Sequence, residues 1–272
     1  MNFLLGRLAN NPAVLACTEQ QPFLSASSLT EEALILAASY VQNPRPMLIV
    51  KNNLYTAQRL AEKLKSLLSP QVCALFSVEE SLRVEAIAAS PEATAEKVET
   101  LNRLLNEDQL ICVTHASALV RYLPSPAQFK LCTIVLKTGM EVSMNELKHT
   151  LIAAGYQQTA RVDQPLCFAS RGGIIDIYSI NSETPVRIEF FDTEIDSIRT
   201  FDIATQRTVE VKAETEIVPA SDLLLDDEQI SLIQQRVRRH LESLKSRYTH
   251  SEYEQIEGIV DLDLETMRAH LR

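Results

Sequence analysis

Residues 170–208 read SRGGIIDIYSINSETPVRIEFFDTEIDSIRTFDIATQRT, and this stretch decides the fold of the middle of the chain. In 186–191, VRIEFF, every second side chain is apolar, as in a strand whose neighbouring side chains point to opposite faces. Residues 173–178, GIIDIY, alternate in the same way, and Asn181 and Ser182 supply turn residues between the two runs. The pattern predicts an antiparallel sheet with one covered and one open face.

Charged and aromatic side chains fall on the open face of this predicted sheet. Arg187, Glu189 and Phe191 alternate along one strand, and Arg171, which we expect to enter a strand, is followed by two glycines that permit a bulge or a close backbone approach. Two interpretations stay open. Cross-strand ion pairing is one, and a charged docking surface with an aromatic anchor is the other.

Upstream, residues 1–123 alternate short apolar runs with helical patterns. The runs at 47–50, 72–76 and 109–113 are typical of buried parallel strands. Apolar side chains recur at helical spacing at positions 54, 57, 60, 61, 64 and 68, and again at 98, 101 and 105. An α/β layer with right-handed crossovers follows, and a nucleotide site at its strand ends must be considered.

The pattern changes after Pro124 and Pro126. Residues 129–136 are expected to form a strand and 145–154 a short helix that ends at Gly155. Together with the alternating strands these elements make 124–207 an inserted α+β module.

The tail, 208–272, is the acidic part of the chain. Ile217 and Val218 are expected to form a strand that returns to the first sheet, and Asp226 to cap a helix. That helix is long and amphipathic, with apolar side chains at 230, 233, 237, 241, 244 and 248. The helix contains a basic cluster of Arg236, Arg238 and Arg239. This cluster is either a solvated face or a phosphate contact.

The composition disfavours nucleic-acid binding, a zinc site and a membrane span. The 272 residues carry a formal net charge of −10, which disfavours autonomous nucleic-acid binding because phosphate contacts need cations. The five cysteines and five histidines form no zinc-ligand pattern and are interpreted as reduced thiols and isolated imidazoles. No apolar run approaches the roughly 18 residues of a membrane span, so we expect a cytoplasmic protein without membrane contact.

Motifs for nucleotide binding and catalysis are absent from the sequence. None of the six glycines forms a phosphate-binding loop, and 25–33, where a first loop would lie, contains Glu31 and Glu32 but no glycine or lysine. Neither a nucleophile elbow nor a zinc-protease motif occurs, and isolated carboxylates such as Asp261 and Asp263 are interpreted as solvated surface. The sequence predicts no catalytic residue, no cofactor and no metal.

The segment RGGIIDIYSINSETPVRIEFFDTEIDSIRTFDIATQRT closely resembles the bacterial transcription-repair coupling factor (Mfd) family, in the part homologous to the excision-repair protein UvrB. Weaker likeness extends through RPMLIVKNNLYTAQRL, AASPEATAEKVETLNRLL and HASALVRYLP to nearly the whole chain. The resemblance implies an N-terminal UvrB-homology module, expected to be a fragment: domain 1a at 1–123, inserted domain 2 at 124–207 and part of domain 1b at 208–272. Its fold class would be a parallel-sheet, P-loop-NTPase-like domain with a degenerate nucleotide site, plus an inserted α+β domain with an antiparallel sheet.

The resemblance also implies a function. Domain 2 of the family binds UvrA, and the family's contacts map onto Arg171, Arg187 and Glu189, with Phe191 beside them. The phosphate loop of UvrB would fall on 26–33, with Ala26 and Ala33 at its ends and Glu32 near the lysine position. Gln158 and Ala169 stand where relatives have arginines, which implies weaker or altered docking.

The implied role is a UvrB-mimicking adaptor that recruits UvrA to stalled transcription complexes without catalysis of its own. Its further partners would be the RNA-polymerase-interacting and translocase domains of the family protein, which are not in this chain. Two alternatives remain: an ATP-dependent helicase-like half, as in UvrB, and a module that masks its UvrA-binding face until the motor engages.

Overall fold

The structure is a computed structural model that describes residues 2–20, 26, 28–78, 91–222, 224 and 227–270. The chain divides into two compact units, Met1–Leu123 and Pro124–Arg272. Each unit contains its own sheet or sheets, and the fold is therefore mixed α/β with parallel and antiparallel strands.

A parallel sheet forms the centre of the first unit. Its strands β1 (Met47–Lys51), β2 (Cys73–Phe76) and β3 (Ile111–His115) lie in the order β1-β3-β2, which confirms the three predicted parallel strands. The central strand β3 is buried throughout. The predicted burial is wrong for β1, because β1 is an edge strand and its side chains Leu48 and Val50 are exposed.

Helices of the first unit pack their apolar stripes on this sheet. The predicted stripe at 57, 60, 61 and 64 is buried, since these side chains face the core formed with β1 and β3. A 3-10 turn, Pro70–Val72, precedes β2. The helices are α1 (Asn2–Arg7), α2 (Pro12–Thr18), α3 (Leu29–Gln42), α4 (Leu54–Leu67), α5 (Pro91–Asn106) and α6 (Ala116–Leu119).

The second unit begins with α7 (Pro126–Leu131), followed by β4 (Ile134–Lys137) and α8 (Met144–Ala153). The predicted strand at 129–136 is therefore wrong over its first half. Ser125 forms a capping box with Gln128, and Pro126 occupies the first helical turn, so that local capping outweighs the β-branched residues that follow. The predicted helix at 145–154 is confirmed by α8.

A six-stranded sheet dominates the second unit. Its strands, in the order β10-β9-β8-β7-β6-β5, are antiparallel except for the parallel pair β5 and β6, and the predicted strands at 173–178 and 186–191 are confirmed by β7 and β8. Val186 and Ile188 are buried, as the alternation predicts. The strands are β5 (Gln157–Gln158), β6 (Cys167–Arg171), β7 (Ile174–Ile177), β8 (Val186–Phe191), β9 (Glu194–Phe201) and β10 (Thr208–Lys212).

The tail differs from its prediction in two ways. Strand β11 (Glu214–Ile217) pairs antiparallel with β4 and does not return to the first sheet, since Ala213 accepts a hydrogen bond from Thr138 and so directs the chain along β4. The predicted long helix ends at Leu244 in α9 (Asp227–Leu244), and after a 3-10 turn, Lys245–Arg247, the chain continues as α10 (His250–His270). Asp226, the predicted cap, lies outside the described residues.

Among the residues that the structure describes, no helix combines the length and the apolar character that crossing a bilayer requires.

Candidate functional site

The solvent-facing side of the six-stranded sheet carries the predicted site residues, and we call it the open face. It is defined by Arg171, Asp176, Arg187, Glu189, Phe191 and Arg199. Strand register brings these side chains onto one surface. One row across the sheet places Ala169 opposite Asp176, Asp176 opposite Arg187 and Arg187 opposite Arg199, and the next row places Arg171, Ile174, Glu189 and Ser197 side by side.

Arg187 is held within the open face by an ion pair. Its Nε and Nη2 donate to the two carboxylate oxygens of Asp176 at 2.7 and 2.8 Å, and Nη2 also donates to Gln206 Oε1 at 2.9 Å. The guanidinium carbon lies 4.3 Å from the ring centroid of Phe201, which is buried. The bidentate bond to Asp176 raises the pKa of Arg187. With 21% of its side chain exposed, Arg187 keeps one edge towards solvent.

Glu189 has its own partners on β9. Arg199 Nη2 forms an ion pair with Oε1 of Glu189, and the Ser197 hydroxyl donates to Oε2 at 3.0 Å. The hydrogen bond from Arg199 is the main cause of a lowered pKa of Glu189, and Ser197 adds to it. About a quarter of the Glu189 side chain remains exposed, so a fixed carboxylate faces solvent at the centre of the open face.

Arg171 and Phe191 differ from these two because they project freely. Arg171 is exposed and makes no ion pair with any residue that the structure describes. Phe191, at the end of β8, is 78% exposed. An aromatic ring this exposed gains most from burial against another surface.

The two glycines after Arg171 form a hairpin turn between β6 and β7, so Arg171 is the last residue of a strand and does not enter one. Gly172 has φ +59, a conformation that favours glycine. At Gly173 the carbonyl oxygen accepts a hydrogen bond from the Phe190 amide at 2.8 Å, and an added Cβ would lie 3.2 Å from the Phe190 carbonyl oxygen. This is the close backbone approach that the sequence predicts.

The two positions with altered charge also lie in the six-stranded sheet. Gln158 is exposed on the short edge strand β5, and Ala169 is buried opposite Asp176. An alanine here leaves Asp176 with Arg187 as its ion-pair partner among the described residues.

In the first unit, the predicted degenerate phosphate loop lies at the start of α3. Ser28 caps this helix, and its hydroxyl oxygen accepts a hydrogen bond from the Glu31 amide at 3.2 Å. The Glu32 carboxylate binds Nζ of Lys51 with both oxygens, each at 2.9 Å. Lys51 ends β1, at the strand edge where nucleotides bind in such sheets. The lysine there is therefore already paired with a carboxylate.

The two ends of the predicted phosphate loop differ in exposure. Ala26 is exposed and Ala33 is fully buried, while Ser25 and Ser27 lie outside the described residues. A cavity of about 490 Å³ does occur in the first unit, but α4 and α5 line it with side chains such as Lys65, Glu96 and Arg103. Within the described ranges, His, Cys, Asp and Glu side chains form no group of three that could hold a metal.

Sequence reasoning missed two members of the open face. The local sequence pattern assigns no role to Asp176 or Arg199, although each binds a predicted site residue. The alternation 174–177 would place Asp176 on the open face, so its signal was present. Arg199 depends on the register of β9, in which a bulge lies between Glu189 and Phe190, and local spacing does not reveal this register.

Comparison with known proteins finds one matching family model and relatives that share one name. Residues 134–223 match the family described as the UvrB interaction domain. The chain is 32% identical to the transcription-repair-coupling factor of Bacillus subtilis (strain 168) over 90% of its own length and 22% of that protein. It is 31% identical to the protein of the same name from Staphylococcus haemolyticus over 85% of this chain and 20% of that protein. The chain thus spans about a fifth of the length of the curated relatives it matches.

Proposed function

We propose that this chain, which belongs to the transcription-repair-coupling factor family, is a UvrB-mimicking adaptor whose open face binds UvrA. In this role it recruits UvrA to stalled transcription complexes in the cytoplasm, as one step of transcription-coupled nucleotide excision repair. The remaining domains of the full-length protein, which interact with RNA polymerase and drive translocation, are its further partners.

One observation carries the proposal. The open face combines a free cation, an exposed aromatic ring and a fixed carboxylate, provided by Arg171, Phe191 and Glu189. Fixed charges around an aromatic anchor support recognition of a complementary protein surface, because the anchor gains from burial and the charges set orientation. The face lies within the residues that match the UvrB interaction domain.

The internal ion pair of Arg187 narrows its proposed role. Because Asp176 and Gln206 take three of its hydrogen bonds, Arg187 contributes one remaining edge and a fixed position, whereas Arg171 offers its whole guanidinium. Arg171 and Phe191 are therefore the direct contacts in our proposal, and Arg187 and Glu189 form its prearranged centre.

The first unit has a supporting role in this proposal. We regard 1–123 as a P-loop-NTPase-like domain 1a with a degenerate nucleotide site, 124–207 as domain 2 and 208–272 as part of domain 1b. The Lys51–Glu32 ion pair supports this view, since a triphosphate would need that lysine and would meet the carboxylates of the first helical turn. The chain itself then has no catalytic activity.

Titration calorimetry of this chain with UvrA tests the adaptor function. We expect a complex that Arg171→Ala weakens about tenfold and that Arg187→Glu weakens further, because the reversed charge would face Asp176. Arg236→Ala, at an exposed arginine of α9 outside the open face, is the matched control and should bind like wild type. Unchanged affinity in both open-face variants would refute the proposed contacts.

A fluorescent ATP analogue tests the degenerate site separately. We expect no saturable binding at millimolar concentration. Saturable binding that Lys51→Ala abolishes would favour the helicase-like alternative over the adaptor.

A further inference from the structure

Two arginines lie directly opposite each other at the centre of the open face. Arg187 on β8 is paired in register with Arg199 on β9. Like charges at directly opposite positions of an antiparallel pair destabilise a sheet. The repulsion between the two guanidinium groups must therefore be offset by negative charge. Asp176 pairs with Arg187, and Glu189 pairs with Arg199.

The orientation of Arg199 shows what it can and cannot contact. Its Nε is buried and has no hydrogen-bond partner among the described residues, and its Nη2 is directed to Glu189. That one donor cannot reach a protein that docks on the surface, although 32% of the Arg199 side chain is exposed, and leaving the donor unpaired costs free energy. The guanidinium is therefore placed to serve Glu189 at the expense of its own hydrogen bonding.

Glu189 is correspondingly fixed on two sides. Arg199 binds one carboxylate oxygen and Ser197 donates to the other, so the carboxylate cannot rotate towards Arg187 without losing both. Without Arg199, the neighbouring cation Arg187, two residues along the same strand, would be the competing partner.

We infer that Arg199 is a positioning residue of the open face, which holds the Glu189 carboxylate apart from Arg187 so that UvrA meets Glu189 and Arg187 in a fixed arrangement. This inference rests on the proposed function. Asp176, Arg187, Glu189 and Arg199 together have no net charge, and specificity then comes from their geometry rather than from overall attraction.

A double-mutant cycle on UvrA binding distinguishes positioning from a merely structural role. We expect Arg199→Gln and Glu189→Gln each to weaken binding about tenfold, and the double variant to bind no more weakly than Glu189→Gln alone, within about twofold. Arg199→Lys, which keeps the charge, should recover most of the affinity. Losses that multiply to about a hundredfold in the double variant would overturn the inference.

A second measurement does not involve UvrA. Carbon-13 NMR of the Glu189 carboxyl in this chain should show its pKa rising towards the ordinary value of about 4.3 in Arg199→Gln, with a smaller rise in Arg199→Lys. An unchanged titration would overturn the inference even if UvrA binds. Failure of wild type to bind UvrA would refute the proposed function alone, because the titration would still decide whether Arg199 positions Glu189.

Discussion

The start of α3 and the open face both contain ion pairs at places where a ligand is expected, but the pairs leave different groups available. In the first unit, Lys51 and Glu32 neutralise each other and no further cation of the predicted phosphate loop remains. On the open face, two ion pairs are formed, and Arg171 and Phe191 are left over and exposed.

In our proposal, an ion pair by itself therefore does not distinguish a degenerate nucleotide site from a protein-binding surface. What matters is whether groups outside the pair can still reach a partner. In the Lys51–Glu32 pair, the lysine near the predicted phosphate loop is already neutralised. On the open face, the pairs Arg187–Asp176 and Arg199–Glu189, which we call the frame, leave Arg171 and Phe191 free. Changes to the core beneath these pairs, to the free groups, to Glu189 and to the Lys51–Glu32 pair should therefore have effects of decreasing size.

The largest effect should come from Phe201, beneath the frame. Its ring is buried and supports the Arg187 guanidinium at 4.3 Å, so Phe201→Ala removes core packing and the support of the ion pair together. We expect the free energy of unfolding to fall by about 3–5 kcal/mol. Urea denaturation followed by circular dichroism measures this loss.

Phe191→Ala is the matched control for stability. Both residues are phenylalanines of the six-stranded sheet, but Phe191 is mostly exposed, and its truncation should change the free energy of unfolding by less than about 0.5 kcal/mol. A large loss from Phe191→Ala would mean that the ring has a structural role and is not left over for a partner.

The second effect concerns binding. Phe191→Ala should weaken the complex with UvrA by about 2 kcal/mol, roughly thirtyfold, because an exposed aromatic anchor is buried only in the complex. Calorimetry with UvrA measures it, and Leu131→Ala, at an exposed apolar residue of α7 outside the open face, shows whether any exposed apolar side chain would give the same loss. Equal losses in the two variants would remove the anchor role of Phe191.

The local sequence pattern predicts the main features of both regions. Alternation in VRIEFF places Arg187 and Glu189 opposite the buried Val186 and Ile188, and the structure agrees. The missing glycines and the carboxylates at 31 and 32 predicted an unsuitable phosphate loop, and the structure adds the partner of Glu32. In both cases the deciding information lies within a few neighbouring residues.

What the sequence could not provide depends on contacts between distant residues. Lys51 and Glu32 are 19 residues apart, and no local rule joins them. The pairing of β11 with β4 joins segments about 80 residues apart, and apolar character alone allowed either sheet. Arg199 belongs to the site because of strand register, which a bulge shifts. The helix at 126–131 is a different case, since the residues of its capping box are adjacent in the sequence, and the prediction of a strand gave the apolar run after them too much weight.

The third effect is a pH dependence of the frame. The folded state lowers the pKa of Glu189 through Arg199, so the ion pair stabilises the fold above the unfolded-state pKa of about 4.3 and this contribution is lost as pH falls through the folded pKa. At pH 7, Glu189→Gln should lower the free energy of unfolding by about 1 kcal/mol or less, because the pair is partly exposed. The difference between the variant and wild type should shrink towards zero below about pH 4. A difference that is constant from pH 7 to pH 3 would exclude Glu189 as its source.

The smallest effect should come from the closed pair of the first unit. Lys51 and Glu32 are each about a quarter exposed, so Lys51→Gln should lower the free energy of unfolding by less than about 1 kcal/mol and leave UvrA affinity unchanged.

Glu32→Gln is the sharper variant, because it frees the Lys51 ammonium at the end of β1. If carboxylate pairing alone had closed a phosphate site, this variant would bind an ATP analogue. We expect no binding, since Ser28 already occupies the Glu31 amide and the segment offers no glycine to bring backbone amides close to phosphate oxygens. Nucleotide binding by Glu32→Gln would show instead that the two regions differ by one side chain and that the first site is reversibly closed.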